Sequence, residues 1–333
     1  MASKKRIFFY DFLKGFAVLI MFFIHVLLVL SQKSVLKSPF GQIIYTLSGI
    51  PAAPIFMFCM GATLSMPSSL PLLPTILRGL RFVAFGYLLN FLRASLPKIL
   101  GLGTFDEAWM SFFMVDIFCF AGLAMIFITL FQNLLKKSWI SFILLTAVVF
   151  LSPALAQNAD SYPHLLNPII GRHHLVYFPF FPWIVYPVLG FCFAESIRKF
   201  SLKNWIFFAI GSFLLITIGT TMSGNLIRHH SFYHPFPMQL LRYIGIVGLW
   251  LVLAQGVSIF LERYLRRPFQ YLSIHVSPLY VISWLVINWS VFLIGKKTLD
   301  FSGTLIAMFL VTLVTIVINQ SPVGAFISKA FKK

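Results

Sequence analysis

The sequence predicts an all-α, polytopic membrane protein: a helix bundle of about ten transmembrane helices with both termini in the cytoplasm. Of its 333 residues, 59% are hydrophobic and only 10% are charged, whereas soluble globular chains carry about 45–50% apolar and about 25% charged residues. So few charged side chains cannot coat a water-exposed surface, which argues against a soluble globule. The apolar runs are continuous and do not alternate with polar residues, which excludes a β-barrel.

Ten apolar runs are long enough to cross a hydrocarbon core of about 30 Å. The first follows Lys4, Lys5 and Arg6 and extends to Leu30, which is too long for the apolar region of a secretion signal, so we interpret it as a retained span. The connections leave no room for a soluble domain, and the sequence predicts one transmembrane domain over residues 1–333. The runs lie near residues 8–30, 43–66, 77–97, 111–131, 139–156, 176–197, 204–222, 238–261, 270–294 and 302–320.

The net charge of +18 reflects membrane topology and does not indicate a nucleic-acid surface, because the basic residues form short clusters between apolar runs. With the N-terminus inside, the segments assigned to the cytoplasm hold more Lys and Arg than those on the other side, as the positive-inside rule requires. This orientation puts the two longest polar loops, residues 157–175 and 223–237, on the outer face. Those loops contain six of the eight histidines.

The first span carries the most informative residues, Asp11, Lys14 and His25. Ionisable groups inside a membrane span are costly and indicate function by default. At about 100° per residue, all three share one helical stripe with Val18 and Phe22, and His25 stands roughly 16 Å outward of Lys14. We expect this stripe to line a tunnel from the cytoplasm to His25. The alternative for Asp11 and Lys14 is a local ion pair at the helix start, with Lys14 extending towards water.

Three strings carry a resemblance to a known family: YDFLKGFAVLIMFFIH at residues 10–25, PAAPIFMFCMGATLSM at residues 51–66, and the FPFFPW and YPVLGF stretch within residues 177–194. They resemble the polytopic membrane acyltransferase superfamily, and within it most closely the heparan-α-glucosaminide N-acetyltransferase-like branch. Two positions depart from that pattern. Lys14 replaces the family's arginine, and Ser283 stands in the stretch LSIHVSPLYVISW where the family has a histidine, a loss for which His275 is the only candidate substitute nearby.

The resemblance implies transfer of an acetyl or similar short acyl group from cytosolic acyl-CoA, with acetyl-CoA as donor and no metal, to a hydroxyl or amine of a glycan or other acceptor outside. A neutral imidazole at His25 can serve as the general base, and an acyl-histidine relay is a variant of this scheme. With His25, the candidate catalytic residues are Asp11, which completes the family's opening pattern, and Asp116, an acid within the fourth span that would orient His25 if the helices adjoin. The expected CoA-phosphate contacts, which also satisfy the positive-inside rule, are Lys14, Arg78 and Arg81.

The outer loops supply candidate contacts for the acceptor. Arg172, His173 and His174 precede the FPFFPW stretch and can hydrogen-bond a sugar, although a solvated loop explains them equally well. Trp183 is a candidate stacking surface or an interfacial anchor, and Tyr186 shares both interpretations. The histidine pairs of the outer loops lack acidic or cysteine partners, so a zinc site is disfavoured. The remaining polar candidates are Arg228, His229, His230 and His234 in the second outer loop, and Asn90 within the third span.

Two other functions remain open at this point. A transporter or flippase of a polar or lipid-linked solute needs the same helix count, and Pro51, Pro54, Pro179 and Pro182 suggest interrupted spans. The latter half, however, holds no second copy of the stripe on the first helix, as a paired repeat would require. The departures at Lys14 and Ser283 keep a catalytically inactive scaffold open. We expect a bacterial cytoplasmic (inner) membrane; the acceptor, the acyl length and any homo-oligomer are left open.

Overall fold

The computed structural model describes residues 7–67, 69–157, 166–171, 175–223 and 232–332, and this part of the chain is helical without a β-strand. Nine helical segments in it are long and apolar enough to cross a membrane, which confirms the all-α polytopic bundle. In chain order the helices are α1 Phe8–Val29, α2 Lys33–Lys37, α3 Pro39–Leu47, α4 Ala53–Leu64, α5 Leu72–Asn90, α6 Phe105–Phe112, α7 Ile117–Leu135, α8 Ser138–Gln157, α9 Asn167–Ile170, α10 Phe180–Trp183, α11 Val185–Arg198, α12 Leu202–Ser223, α13 Pro237–Ile274, α14 Val276–Ile294, α15 Phe301–Gln320 and α16 Pro322–Lys332.

The predicted span at residues 139–156 corresponds to the helix α8. Its apolar stretch, Trp139–Ser152, is shorter than the nine candidate membrane spans and is not one of them. Three π-helical segments add to the α-helices: Ser48–Ala52, Phe91–Ser95 and Lys98–Leu102. The first of these wider turns lies within the second predicted span and the second within the third predicted span. The third predicted span therefore extends as helix well beyond its expected end at residue 97.

The chain divides into two compact units. The first unit comprises Met1–Phe56, Phe91–Ala108 and Leu253–Lys333, and the second comprises Met57–Asn90 and Trp109–Val252. Each unit has its own core and is described separately below.

In the first unit, α1 packs against α14, α15 and the π-helical segment Ser48–Ala52. Its C-terminal half forms a buried cluster in which Leu27 and Leu30 meet Ile287 of α14 and Val311 of α15. Beyond α1 the backbone is tied to the loop before α15, because Gln32 N–H donates to Leu299 O over 2.8 Å. The helix that carries the predicted stripe is thus held along its length and at its C-terminal end.

In the second unit, α5 and α7 form the most extensive helix pair. Glycines permit the close approach: a Cβ at Gly79 would lie 2.7 Å from Gly122 O, and one at Gly86 would lie 3.1 Å from Cys119 N. Small residues at helix interfaces let backbones approach within a membrane, where van der Waals packing drives association. The pair therefore fixes the backbone around Asn90 and Asp116.

Several predicted helix ends are wrong, each for a local reason. Asp116 caps α7, its side chain accepting a hydrogen bond from Ile117 N–H, so the fourth span begins at Ile117 instead of residue 111. The helix α13 continues through Pro268 to Ile274, where the predicted spans were separated at residues 262–269. Proline is tolerated inside membrane-protein helices when neighbouring groups satisfy the freed carbonyl. The ninth span then begins at Val276.

The interruptions expected at the proline pairs are present. Pro51 lies inside the π-helical segment Ser48–Ala52, where its missing N–H removes one backbone hydrogen bond of the helix. Near the second pair, Phe181 has the extended dihedrals φ −96° and ψ 125° inside the short helix α10, which ends at Trp183 before the longer α11 begins at Val185. Both breaks lie within segments that otherwise satisfy the length and hydropathy of a membrane span.

Large apolar side chains cover the outward faces of several helices. On α12, Phe207 and Phe213 are each 61% exposed, and Phe309 on α15 is 67% exposed. Exposed apolar surface on this scale is unfavourable in water. It fits the hydrocarbon environment that the composition predicts.

Candidate active site

The predicted stripe lies on one continuous helix. Asp11 is 6% exposed in the first turn of α1, Lys14 is partly buried, and His25 follows one turn before the helix ends at Val29. The helical rise gives roughly 16 Å between the Lys14 and His25 levels. The positions of the three residues in the first unit therefore match the spacing that the sequence predicts.

The middle of this stripe is filled by side chains, which contradicts the expected tunnel. A Cβ on Gly15 would lie 2.7 Å from the ring of Phe269, so helix α13 approaches α1 closely here. Further towards the C-terminus of α1, Val18 and Phe22 are buried against Leu272 and Leu279. Helix packing closes the route, and a passage along the stripe requires these side chains to move.

His25 lies against two aromatic rings of α14. Its ring centroid is 3.9 Å from that of Trp284 with an interplanar angle of 31°, and 6.4 Å from that of Tyr280 at 79°. Within the described residues, His25 Nδ1 is buried without a hydrogen-bond partner. Of these two ring contacts, the one with the indole of Trp284 is the closer.

Arg93 completes this cluster, and the sequence analysis missed it. The residue comes from the π-helical segment Phe91–Ser95, is 4% exposed, and places its guanidinium carbon 4.2 Å from the centroid of Trp284. Such a cation–π contact contributes about 0.5–2 kcal/mol, more when desolvated. The signal was present, since Arg93 lies within a predicted span and an intramembrane cation indicates function by the rule that singled out His25. We call His25, Trp284, Tyr280 and Arg93 the indole cluster.

The stretch LSIHVSPLYVISW, where the family has a histidine, presents a tryptophan to His25. Ser283 is fully buried and donates its hydroxyl to Tyr280 O over 2.9 Å, a bond within its own helix. His275 immediately precedes α14 and stacks on Tyr271 at 4.8 Å. The aromatic residue presented to His25 is Trp284, directly after Ser283.

In the second unit, Asn90 and Asp116 organise the turn between α6 and α7. Asn90 Nδ2 donates to Met114 O over 2.7 Å and to Phe112 O over 3.3 Å, while Asp116 caps α7. For Asn90 this favours the interpretation of a residue that holds helices together. The orienting role of Asp116 towards His25 stays a prediction.

The cationic candidates for CoA lie on one helix of the second unit. Arg78 and Arg81 are exposed, three residues apart on α5, and the guanidinium carbon of Arg78 is 5.8 Å from the ring of Phe82. Exposed guanidinium groups one turn apart can reach one phosphate group together. Their contact with CoA phosphates stays a prediction, as does that of Lys14.

Trp183 is a packing residue in this structure. It is 2% exposed, its Nε1 donates to Tyr233 O over 2.9 Å, and its ring touches those of Phe178, Phe232 and Tyr186 at centroid distances of 4.8, 5.2 and 5.4 Å. A sugar could stack on it only if the indole left this cluster. Its contact with the acceptor stays a prediction.

The other acceptor candidates fall largely outside the described residues: Arg172, His173, His174, Arg228, His229 and His230. His234 is described and partly buried. In the part of the chain that the structure covers, no three His, Cys, Asp or Glu side chains are grouped as a metal would need.

Two of the strings that carry the family resemblance pack on each other. A Cβ on Gly61, in the string at residues 51–66, would overlap the carbonyl of Pro187 in the string within residues 177–194, and a Cβ on Gly190 would overlap the carbonyl of Phe58. The helices α4 and α11 are therefore in backbone contact, reciprocally, through two glycines. These strings form a structural interface of the second unit.

The fold and the indole cluster define a polytopic membrane protein with an imidazole among buried aromatic rings. A family model, heparan-alpha-glucosaminide N-acetyltransferase, catalytic, matches residues 6–226, about two thirds of the chain. The chain belongs to this family, which confirms the predicted branch and makes it a transmembrane acetyltransferase by family. Neither a curated protein nor a solved structure matches it significantly.

Proposed function

We propose that the protein transfers an acetyl or similar short acyl group from cytosolic acyl-CoA to a hydroxyl or amine of a glycan or other acceptor at the outer face of a bacterial cytoplasmic membrane. His25 is the general base. The observation that carries this proposal is the indole cluster: an imidazole inside a span of the family-matched region, lying against the rings of Trp284 and Tyr280 with its Nδ1 without a hydrogen-bond partner among the described residues.

The chemistry requires one proton acceptor at the reacting centre. As the acceptor's oxygen or nitrogen attacks the thioester carbonyl, its proton moves to His25, and the new bond to the acyl carbon forms. When the tetrahedral intermediate collapses, the carbon–sulfur bond breaks and His25 gives the proton to the departing CoA thiolate. A positioned histidine contributes typically 10²–10⁴-fold to such a step.

The remaining candidates divide between the two substrates. Lys14, Arg78 and Arg81 carry the charge that CoA phosphates need, and they lie towards the side assigned to the cytoplasm. Asp11 is buried and precedes Lys14 by three residues. It fits a role in holding the N-terminal end of α1. The acceptor would meet Arg172, His173, His174 and Trp183.

The test uses purified protein in nanodiscs with radiolabelled acetyl-CoA, and glycan extracts from cells lacking the gene as acceptor. We expect label in the glycan fraction with the wild type and loss of that signal with His25→Ala at equal protein amounts. Mass spectrometry of the surface glycans should show the matching loss of an acetyl increment. Transport of glycan without acyl donor, and no label transfer, would instead favour a transporter.

A further inference from the structure

Trp284 presents a buried hydrogen-bond donor beside the candidate base. Within the described residues its Nε1 is inaccessible to solvent and has no hydrogen-bond partner, while its ring stacks on His25 at 3.9 Å. Buried indole N–H groups usually find an acceptor, and a buried donor left without one costs free energy that calls for an explanation. An acceptor atom of a bound substrate would give the Trp284 N–H its hydrogen-bond partner and remove that cost.

We propose that Trp284 donates its Nε1–H to the thioester carbonyl oxygen and stabilises the oxyanion formed during acyl transfer, and that Arg93 is a positioning residue that holds the indole. This inference rests on the proposed function and adds residues that the reaction uses. Trp284 lies outside the family-matched region, which ends at residue 226.

The same helix provides a comparison that separates this donor from an ordinary tryptophan. Trp289, five residues further along α14, donates its Nε1 to Leu92 O over 3.1 Å and is partly exposed. Its N–H is therefore satisfied by the protein. Trp284 lies next to the base and has no such acceptor among the described residues.

Arg93 strengthens the assignment because it holds the indole in place. Its guanidinium carbon lies 4.2 Å from the Trp284 centroid, and the side chain is almost fully buried. Stacking of the guanidinium restricts the orientation of the indole and therefore the direction of its Nε1–H. A fixed donor direction matters most when the carbonyl oxygen becomes an oxyanion.

The step balances in atoms and charge. The acceptor's heteroatom bonds to the acyl carbon, its proton goes to His25, and the carbonyl π electrons move to the oxygen that accepts the hydrogen bond from Trp284. Collapse re-forms the carbonyl, breaks the carbon–sulfur bond, and returns the proton from His25 to the CoA thiolate. The donor at Trp284 is needed most at the intermediate, so its loss should lower kcat more than it raises KM.

The first test removes the N–H and keeps the ring. We expect Trp284→Phe, and Trp284 replaced by 3-benzothienylalanine as the closer isostere, to lower kcat by about 100-fold or more, the usual effect of losing one oxyanion donor, with little change in the KM for acetyl-CoA. Trp289→Phe is the matched control and should retain the wild-type kcat. Size-exclusion profiles and thermal unfolding establish that each variant folds.

A kcat of the isosteric variant close to that of the wild type would overturn the role of Trp284. If the wild type itself transferred no acetyl group, the proposed function would fail, and this inference with it. The two failures are thereby distinguishable.

A double-mutant cycle tests Arg93. If it acts by holding the indole, Arg93→Met should lower kcat by about tenfold, the scale of a desolvated cation–π contact, with Arg93→Lys recovering part of the loss. In the Trp284→Phe background the Arg93→Met effect should shrink, since both changes then disturb one element. Fully additive effects on kcat would contradict positioning through Trp284.

Discussion

At the residue scale, the imidazole of His25 has an indole as its closest ring neighbour and no partner for Nδ1 in the described structure. A general base must accept a proton, whereas a positioning group need only form a hydrogen bond. We therefore expect His25→Ala and His25→Gln to lower the acetyl-transfer rate alike, by about 100-fold or more, because glutamine cannot accept the proton. Steady-state kinetics with acetyl-CoA measure this.

The matched control for that prediction is His275→Ala. His275 is the other histidine of the first unit, and it stacks on Tyr271 instead of lying in the indole cluster. Its replacement should leave the rate near that of the wild type. Substantial activity of His25→Gln would reduce His25 to a positioning role, and near-normal activity of His25→Ala would remove the mechanism.

The partners of His25 could not be predicted from the sequence. Its depth in a span and its stripe with Lys14 follow from helical periodicity, so His25 itself was recognisable. Trp284 and Arg93 lie far from it in sequence, and their contacts depend on which helix faces meet, which periodicity does not specify. The closure of the stripe by Leu272 and Leu279 was unpredictable for the same reason.

At the element scale, hydropathy predicts where the spans lie, whereas local backbone hydrogen bonding determines where each helix begins and ends. The apolar runs were visible because a membrane helix must be continuously apolar. The cap at Asp116, the widening at Pro51 and the continuation through Pro268 depend on how single backbone groups are satisfied. A sliding window averages over such groups, so it predicts the existence of a helix better than its boundaries.

Helix contact between α4 and α11 gives the prediction at this scale. A side chain at Gly190 would overlap the carbonyl of Phe58, which cannot move without shifting its helix. We expect Gly190→Ala to destabilise the purified protein by about 1–3 kcal/mol, the range for overpacking. Thermal unfolding in detergent, followed by size-exclusion chromatography, measures the loss.

Gly211→Ala on α12 is its control, because a Cβ there meets nothing within 4 Å. Alanine should be neutral or slightly stabilising at that position, since it is favoured over glycine inside a helix by about 1 kcal/mol. Equal losses in both variants would show that glycine itself, and not the α4–α11 contact, is what these helices require.

At the scale of the whole molecule, the proposed reaction needs a defined orientation, because acyl-CoA is cytosolic and the acceptor is outside. The positive-inside rule puts Lys136 and Lys137, just after α7, in the cytoplasm and the loop near residue 165 outside. The test starts from a variant in which Cys192, the only partly exposed native cysteine, is replaced by serine. One added cysteine, at position 136 or at position 165, then reports on which side of the membrane that position lies. An impermeant maleimide applied to cells with a permeabilised outer membrane should label only position 165, while both should react after full solubilisation. Labelling at position 136 alone would invert the topology. It would then place the His25 end of α1 in the inner half of the membrane, so that acceptor and donor would have to exchange sides.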